Sequence, residues 1–397
     1  MEAIENVFVF VSDGLRWDHL PDAVDEMGVT LKTVAQALYS PPSFSTLSTG
    51  LYPRQHGVTH WRDGLPNDVD TIYDVPGIDA TYYDEKRADP LYETFGITER
   101  RGLDAMEPPF LHLERDLTPH VPYDTGLSGG DRAASDDLKR DIAGSAEDYV
   151  ADRAGETDRI RREYAAGVED SVALFRRRLE VLEDAALTDD TLVVFTSDHG
   201  ELLGESGLVG HTSPMRPELA YVPTVLIHPE IDGDAVAVDT DRDVIEHVDL
   251  VTTLLTVLGV DGAVRTMGTD LTTSERPRDW GYSHVDVERR GRSLYRADGA
   301  WFRDGGHVYT RNAATARMAY YAYNALGSYK RHVVRRHPLA AFHAYVRGGS
   351  VGEPPESRSA TREALDRLVS GLDQAGSTDI DLDEDAERHL RDLGYLE

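Results

Sequence analysis

Two acidic residues and a histidine follow stretches that the sequence predicts to be buried strands. Asp13 follows an unbroken apolar run at 7–11, and Asp198 and His199 follow a second run at 191–195. The carboxyl ends of strands in an open α/β sheet meet at one edge, where such sheets build their sites. Carboxylate oxygens and imidazole nitrogens are ligands of divalent metals. A single Asp at such a position more often caps the next helix, but three such groups at two strand ends favour a metal site.

The elements that must position these groups follow from the hydrophobic pattern. Short apolar runs at 110–113 and 222–227 predict two more buried strands. Apolar residues spaced three or four apart predict helices at 161–187 and 243–258. Alternation of strands and helices over about residues 1–260 indicates an α/β domain with a mostly parallel central sheet flanked by helices.

Several sequence motifs connect these elements to a known family. The hydroxyl-rich stretch 40–57 places Ser40 ten residues before Gly50. The accompanying motifs are Asp13-Gly14-Leu15-Arg16, Phe110-Leu111-His112-Leu113, Pro119-His120-Val121-Pro122-Tyr123, Ser197-Asp198-His199-Gly200-Glu201, Gly210-His211, Glu246-His247-Val248-Asp249-Leu250 and Leu393-Gly394-Tyr395-Leu396. In this order they resemble the sulfatase branch of the alkaline phosphatase superfamily over about residues 4–265 and the extreme C-terminus. The resemblance implies an alkaline phosphatase/sulfatase-like α/β sandwich.

The resemblance also implies chemical roles for individual residues. These roles are Ser40 as nucleophile, Asp13, Ser40, Asp198 and His199 as metal ligands, His120 and His211 as catalytic groups on the substrate, and Arg54 as a contact to substrate oxygens. The metal would be a divalent cation (Ca²⁺, Mn²⁺ or Zn²⁺) that lowers the pKa of the nucleophile and neutralises the ester oxygens. The predicted function is metal-dependent hydrolysis of sulfate or phosphate esters.

A second metal site is an alternative at this stage. In two-metal phosphodiesterase-like members of the superfamily an Asp precedes a His ligand by four residues, as Asp116 precedes His120 here. Asp116, His120 and His211 would then bind a second ion, and the protein would be a phosphodiesterase or phosphotransferase. A solvated loop position beside Arg115 is an equally good interpretation of Asp116.

Two departures from the family pattern bear on the nucleophile. Sulfatases that convert a Cys or Ser to formylglycine carry an Arg four residues after it, where this chain has Phe44, although Pro42 is in place. They usually have a second Asp after the first strand, where this chain has Gly14. We therefore expect Ser40 to act as an unmodified hydroxyl. A catalytically degenerate protein that binds an anionic glycan or lipid headgroup is the alternative.

The net charge of the chain indicates the kind of solvent that it suits and the kind of partner that it excludes. Its 397 residues include 72 acidic and 41 basic ones, for a net charge of −31, and only four of the basic residues are Lys. Such a surface repels nucleic acid and suits a halophilic archaeon, since high salt screens self-repulsion. The absence of Cys excludes disulfides and thiolate zinc sites. With no basic segment before an apolar stretch and no apolar run of about 18 residues, we expect a cytoplasmic protein.

The C-terminal part differs from the rest in composition. We predict a catalytic domain at 1–304, with an insertion or lid at 124–160, and a smaller C-terminal subdomain at 305–397. Residues 305–352 contain no Asp or Glu, but they contain six Tyr and seven cations. The cationic stretch 311–347 could dock a sulfated or phosphorylated glycan or a lipid headgroup, could contact a membrane peripherally, or could pair with the acidic main domain. The oligomeric state is left open.

The presence of Phe at position 44 leads to a first prediction. Because the Arg of the formylglycine pattern is missing, Ser40 should remain a serine in protein purified from its native host. Mass spectrometry of the Ser40 peptide should give the mass calculated from the sequence. A peptide lighter by two hydrogen atoms would overturn this prediction.

Overall fold

The computed structural model describes residues 4–84, 90–123, 145–233, 235–273, 276–392 and 395. The strands, in chain order, are β1 (Asn6–Ser12), β2 (Val29–Val34), β3 (Asp63–Gly64), β4 (Asp79–Asp84), β5 (Phe110–Asp116), β6 (Thr191–Thr196), β7 (Leu202–Leu203), β8 (Val209–Gly210), β9 (Tyr221–Ile227), β10 (Ile245–Glu246), β11 (Gly281–Arg289), β12 (Arg292–Phe302), β13 (Gly305–Thr310), β14 (Gly349–Gly352) and β15 (Thr378–Asp379). The helices are α1 (Asp22–Asp25), α2 (Ser40–Thr49), α3 (Pro53–His56), α4 (Leu91–Phe95), α5 (Ala146–Arg153), α6 (Thr157–Asp184), α7 (Pro217–Ala220), α8 (His247–Val257), α9 (Ala314–Leu326), α10 (Arg331–Val334), α11 (Pro338–Val346), α12 (Arg358–Gly371) and α13 (Glu384–Asp392).

A seven-stranded sheet forms the centre of the fold, with the strand order β10-β2-β9-β6-β1-β5-β4. Strand β9 runs antiparallel to both of its neighbours, and the other adjacent pairs are parallel. The prediction of a mostly parallel central sheet is therefore confirmed. Strands β6, β1 and β5 lie side by side, so their carboxyl ends meet at one point of the sheet edge.

Alternate residues of β1 enter two different cores, as the two-residue period of a strand requires. Val7, Val9 and Val11 pack in one core with apolar residues of α2 and α8. Phe8 and Phe10 pack in the other core with α6. Burial on both faces explains why this strand is an unbroken apolar run, and it gives the three-layer α/β/α arrangement.

A second, antiparallel sheet has the order β11-β12-β13-β14. The predicted domain boundary at 304/305 falls in the turn between β12 and β13, where Phe302 pairs with Gly305. Since hydrogen-bonded strands of one sheet form one unit, we propose that the smaller unit begins at Gly281.

Several predicted elements have different bounds in the structure. Strand β5 continues past 113 to Asp116, which puts Arg115 and Asp116 in a buried strand rather than in a solvated loop. Helix α6 begins at Thr157, inside the predicted insertion, and Tyr149 of α5 and Ile160 of α6 are buried in the second core. The part of the predicted insertion at 124–144 lies outside the described residues. No helix among the described residues is both long enough and apolar enough to cross a membrane.

A buried cluster of charges connects the two sheets. Glu246, directly before α8, is fully buried and accepts hydrogen bonds from Arg276 Nη2 at 2.5 Å, from Arg278, and from the Tyr282 amide of β11 at 2.9 Å. Asp249 accepts a further bond from Arg276 Nε at 2.6 Å. Both guanidinium groups therefore depend on carboxylates of the central domain for neutralisation.

Removing the charge of Glu246 should destabilise the fold. Glu246→Gln leaves two largely buried guanidinium groups beside a single carboxylate, and breaking a buried ion pair in this way costs about 3–5 kcal/mol. Urea unfolding in molar KCl should show this loss, whereas Glu180→Gln, at an exposed position of α6, should unfold like wild type. Equal stability of the two variants would contradict the importance of the cluster.

Candidate active site

Adjacent strands deliver three charged side chains to one point of the sheet edge. Val11 of β1 is in register with Arg115 of β5 on one side and with Thr196 of β6 on the other. Asp13 follows directly after β1 and Asp198 lies two residues after β6, and the Asp13 amide bonds to the Asp116 carbonyl at 2.8 Å. The structure brings Asp13, Asp198 and His199 together at this point.

Ser40 reaches the same point from the first turn of α2. Proline at the next two positions suits a helix start, because its fixed φ is already helical and the missing N–H would have no intrahelical partner. Ser40 Oγ lies 3.3 Å from Asp13 Oδ2, 3.5 Å from His199 Nε2 and 3.0 Å from Arg115 Nη2. The positive end of the helix dipole and the guanidinium both favour negative charge on this oxygen.

The two carboxylates and the imidazole form a group that fits a divalent cation. One ligand atom each from Asp13, Asp198 and His199 lies within 4.8 Å of the others, and all three residues are fully buried. Nδ1 of His199 donates to the Gly200 carbonyl at 2.9 Å, so the lone pair of the neutral ring is on Nε2. That nitrogen faces Asp13 Oδ1 at 3.8 Å and Asp198 Oδ2 at 3.4 Å, and neither oxygen has a hydrogen-bond partner. Three buried groups with converging lone pairs could hold a cation between them.

The pKa shifts reflect this concentration of charge. Burial and the charge of Asp13 raise the pKa of Asp198 above its ordinary value. Burial acts in the same direction on Asp13, but Arg115 and the nearby imidazoles outweigh it and hold the pKa of Asp13 below its usual range. Burial lowers the pKa of His199, yet Asp198 and Asp13 outweigh burial and raise it. The group therefore has one firmly ionised carboxylate, and positive charge stabilises its second carboxylate.

The two departures from the family pattern have structural counterparts. Phe44 is fully buried, and the guanidinium of Arg115 lies over its ring, 5.0 Å from the ring centroid. Arg115 also bonds to Asp13 Oδ2 at 2.6 and 2.7 Å, so a neighbouring strand supplies the guanidinium that residue 44 does not. Gly14 adopts a left-handed φ of +78°, and its amide donates to Asp198 Oδ1 at 3.3 Å.

His120 and His211 share a phenol hydroxyl. Tyr395 Oη lies 2.8 Å from His120 Nε2 and also bonds to His211 Nε2. Nδ1 of His120 bonds to the Val121 carbonyl at 2.6 Å, and burial lowers the pKa of His120 to about 3. The neutral ring must then carry its proton on Nδ1, so Tyr395 donates its hydroxyl proton to His120. The His211 ring stacks on His199 with centroids 4.4 Å apart, which joins this pair to the group formed by Asp13, Asp198 and His199.

Two further charged groups support His211. Glu201 lies 3.3 Å from His211 Nδ1, and burial raises the pKa of this carboxyl to about 7. Lys330 Nζ donates to the His211 carbonyl at 2.6 Å, and burial lowers its pKa to about 8. Both side chains were missed in the sequence analysis, as was the role of Arg115.

Asp116 and Arg54 from the sequence analysis, and Ser43 next to the proposed nucleophile, have other surroundings. Asp116 Oδ1 accepts from the Thr118 amide at 3.1 Å, and among the described residues no three-ligand group joins Asp116 to His120 and His211. The Arg54 carbonyl accepts from Ala375, and its guanidinium acts electrostatically on Tyr282. Ser43 donates to the Asp198 carbonyl at 2.5 Å, which gives that hydroxyl a structural partner.

A cleft of about 520 Å³ opens on the outer side of Tyr395. The residues that line it include Trp61, Tyr323, Tyr329, Arg289, Arg290 and Lys330. Three carboxylates, Asp63, Asp286 and Glu288, also line it. Aromatic rings with charges of both signs suit a sugar, and the cations among them suit a negatively charged substituent on it.

Comparisons with known proteins identify the family. The sulfatase family model matches residues 80–260. The "low-salt glycan biosynthesis sulfotransferase Agl7" of the halophile Haloferax volcanii is 34% identical, over 99% of this chain and 96% of that protein. A 2-O GAG sulfatase has a similar fold, with a TM-score of 0.59 at 14% identity over 92% of this chain and 91% of its own. The phosphonate monoester hydrolase of Agrobacterium radiobacter gives a TM-score of 0.55 at 17% identity, over 88% of this chain and 100% of its own. The chain therefore belongs to the sulfatase family of the alkaline phosphatase superfamily, as a sulfuric ester hydrolase-like enzyme.

Proposed function

We propose that the protein is a metal-dependent sulfuryl-transfer enzyme in which Ser40 attacks the sulfur of a sulfate ester on a sugar. The observation that carries this proposal is the convergence of Asp13, Asp198 and His199 around unpartnered lone pairs beside Ser40. The imidazole nitrogen in this donor set favours Mn²⁺ or Zn²⁺ over Ca²⁺, which prefers an all-oxygen shell. When bound, such a metal lowers the pKa of the Ser40 hydroxyl and neutralises the ester oxygens.

Other side chains of the site orient the nucleophile, stabilise its charge and assist the departure of the ester oxygen. Asp13 Oδ2 orients the Ser40 hydroxyl, and Arg115 stabilises negative charge on its oxygen through a charge-assisted hydrogen bond. The bond from Ser40 Oγ to sulfur forms while the bond from sulfur to the ester oxygen breaks. The released ester oxygen takes up one proton in exchange for the proton that Ser40 loses, and this transfer runs beside His120 and His211, whose rings share the Tyr395 hydroxyl.

The second half of the reaction depends on the acceptor. A serine sulfate has no second hydroxyl on its Cβ, so an incoming oxygen must attack its sulfur. Water as acceptor gives hydrolysis, and a sugar hydroxyl gives a sulfated glycan. The printed name of the Haloferax volcanii relative, a glycan biosynthesis sulfotransferase, supports a sugar acceptor as the second candidate function.

The role of Ser40 is tested by substitution within one helix. Ser40→Ala should lower turnover of an aryl sulfate in molar KCl by about 10³-fold or more, because it removes the hydroxyl that forms the covalent intermediate. Ser45→Ala, whose hydroxyl bonds to the Pro41 carbonyl of the same helix, is the matched control and should retain activity. Loss of activity in Ser43→Ala together with an active Ser40→Ala would move the nucleophile to Ser43.

The acceptor is identified by product analysis. With an aryl sulfate as donor and N-acetylglucosamine added, a transferase should divide the sulfuryl group between sulfated sugar and inorganic sulfate. A hydrolase should release inorganic sulfate alone at every sugar concentration. The absence of both products under every metal condition would favour the catalytically degenerate alternative.

Metal binding is tested through stability rather than activity. A metal that binds only the folded state at about a hundredfold excess over its Kd stabilises it by about 2.7 kcal/mol. Adding Mn²⁺ or Zn²⁺ to protein treated with EDTA should therefore raise the melting temperature. Asp198→Asn should abolish this shift, and Asp241→Asn, on an exposed turn, should keep it. Metal analysis should find one ion per chain, whereas two ions would favour the phosphodiesterase alternative.

A further inference from the structure

Helices α9 and α11 expose large apolar side chains to solvent. Among the described residues the most exposed of these are Leu339, Leu326 and Met318, at 76, 69 and 48%. The exposed positions of α9 are 314, 315, 318, 319, 322 and 326, and all of them except Thr315 are Ala, Met or Leu. A solvated helix face normally carries charges, so an apolar stripe in so acidic a chain indicates a contact surface.

These side chains belong to one continuous surface. The rings of Tyr321 on α9 and Phe342 on α11 pack with their centroids 5.3 Å apart, and Tyr321 Oη donates to the Pro338 carbonyl at 3.1 Å. Arg335 Nε donates to the Ala325 carbonyl at 2.7 Å, which places this cation at the end of α9, beside Leu326. We name the surface formed by Met318, Ala322, Leu326, Arg335, Arg336 and Leu339 the α9–α11 face.

Residues 305–352, which contain no Asp or Glu, are called the acid-free segment here. The seven cations of this segment divide into two sets. Four of them have partners within the protein: Arg311 with Asp298 and Asp366, Arg317 with the Val346 carbonyl, Lys330 with the His211 carbonyl, and Arg331 with Glu147. Internal packing therefore explains this set. The other three, Arg335, Arg336 and Arg347, differ from this set in being exposed, although Arg335 also donates to the Ala325 carbonyl.

We propose that the α9–α11 face docks on the surface of an anionic lipid bilayer. Apolar side chains with Arg at their border match the acyl and headgroup layers of such a surface. A body with a net charge of −31 is repelled by an anionic bilayer, and only a surface free of Asp and Glu can approach closely. In molar salt the Debye length falls to about 3 Å, so the apolar side chains carry most of the contact.

Docking would also orient the cleft. The opposite side of α9 contributes Tyr320 and Tyr323 to the lining of the cleft that ends at Tyr395. The cleft therefore lies behind the docked face, about 10 Å away across the helix. This consequence rests on the proposed function, because it places the sulfate ester or its acceptor near the bilayer surface, whereas the docking itself does not depend on that function.

Vesicle sedimentation tests the docking. Wild type should pellet with phosphatidylglycerol vesicles in KCl at which the protein stays folded, and less with phosphatidylcholine. Leu326→Ser with Leu339→Ser should lower the bound fraction at least fivefold, while turnover of a small soluble ester stays unchanged. Met267→Ser, an exposed apolar position outside the face, is the control and should bind like wild type. Failure of wild type to pellet, or equal pelleting of the Leu variant, overturns the proposal.

A second pair of variants tests how much the exposed Arg side chains contribute to binding. Arg335→Ser with Arg336→Ser should weaken binding to phosphatidylglycerol about tenfold at moderate salt. Arg176→Ser with Arg177→Ser, an adjacent exposed pair on α6, should have little effect. A wild-type dimer that the Leu variant converts to monomer would instead make the face a contact between copies. Retention on heparin without vesicle binding would make it a glycan surface, and either result overturns the lipid proposal.

Discussion

The charges of this site are arranged around two carboxylates that are buried within a few ångströms of one another. Asp13 and Asp198 each have an oxygen without a hydrogen-bond partner, in a place that water does not reach. Ionised carboxylates tolerate such burial only when opposite charge is close. Arg115 and the amino end of α2 supply part of that charge, and a divalent cation held by the two carboxylates and His199 would supply the rest. The positive charges that activate Ser40 are therefore the same ones that stabilise the buried carboxylates.

Local patterning explains how much of this site could be predicted. Unbroken apolar runs before Asp13 and Asp198 predicted buried strands, and the geometry of α/β sheets brings the ends of such strands together. Arg115 was missed because strand β5 was expected to end at 113, although a charged residue inside an apolar segment could have suggested a buried partner. The position of Tyr395 depends on packing between distant parts of the chain, which no local pattern encodes. The antiparallel direction of β9 has the same origin, because a buried strand looks alike in either orientation.

The acid-free segment shows how one composition can serve two purposes. Lys330 and Arg331 are in the same segment as Arg335 and Arg336, yet the first two have partners inside the protein and the last two are exposed. Sequence alone left internal pairing and external docking as competing explanations. In the structure the choice differs from residue to residue, because the buried or exposed face of each helix decides it.

The position of Tyr395 has a consequence for biosynthesis. Its hydroxyl bonds to His120 and His211 across separations of 275 and 184 residues along the chain. Contacts of such range form late, because the entropy of closing large loops opposes them until the intervening chain has folded. Tyr395 also leaves the ribosome after both histidines, so the histidine pair acquires its shared phenol only after all the residues up to Tyr395 have been made. A chain truncated before Tyr395 would hold the Ser40 cluster without this phenol.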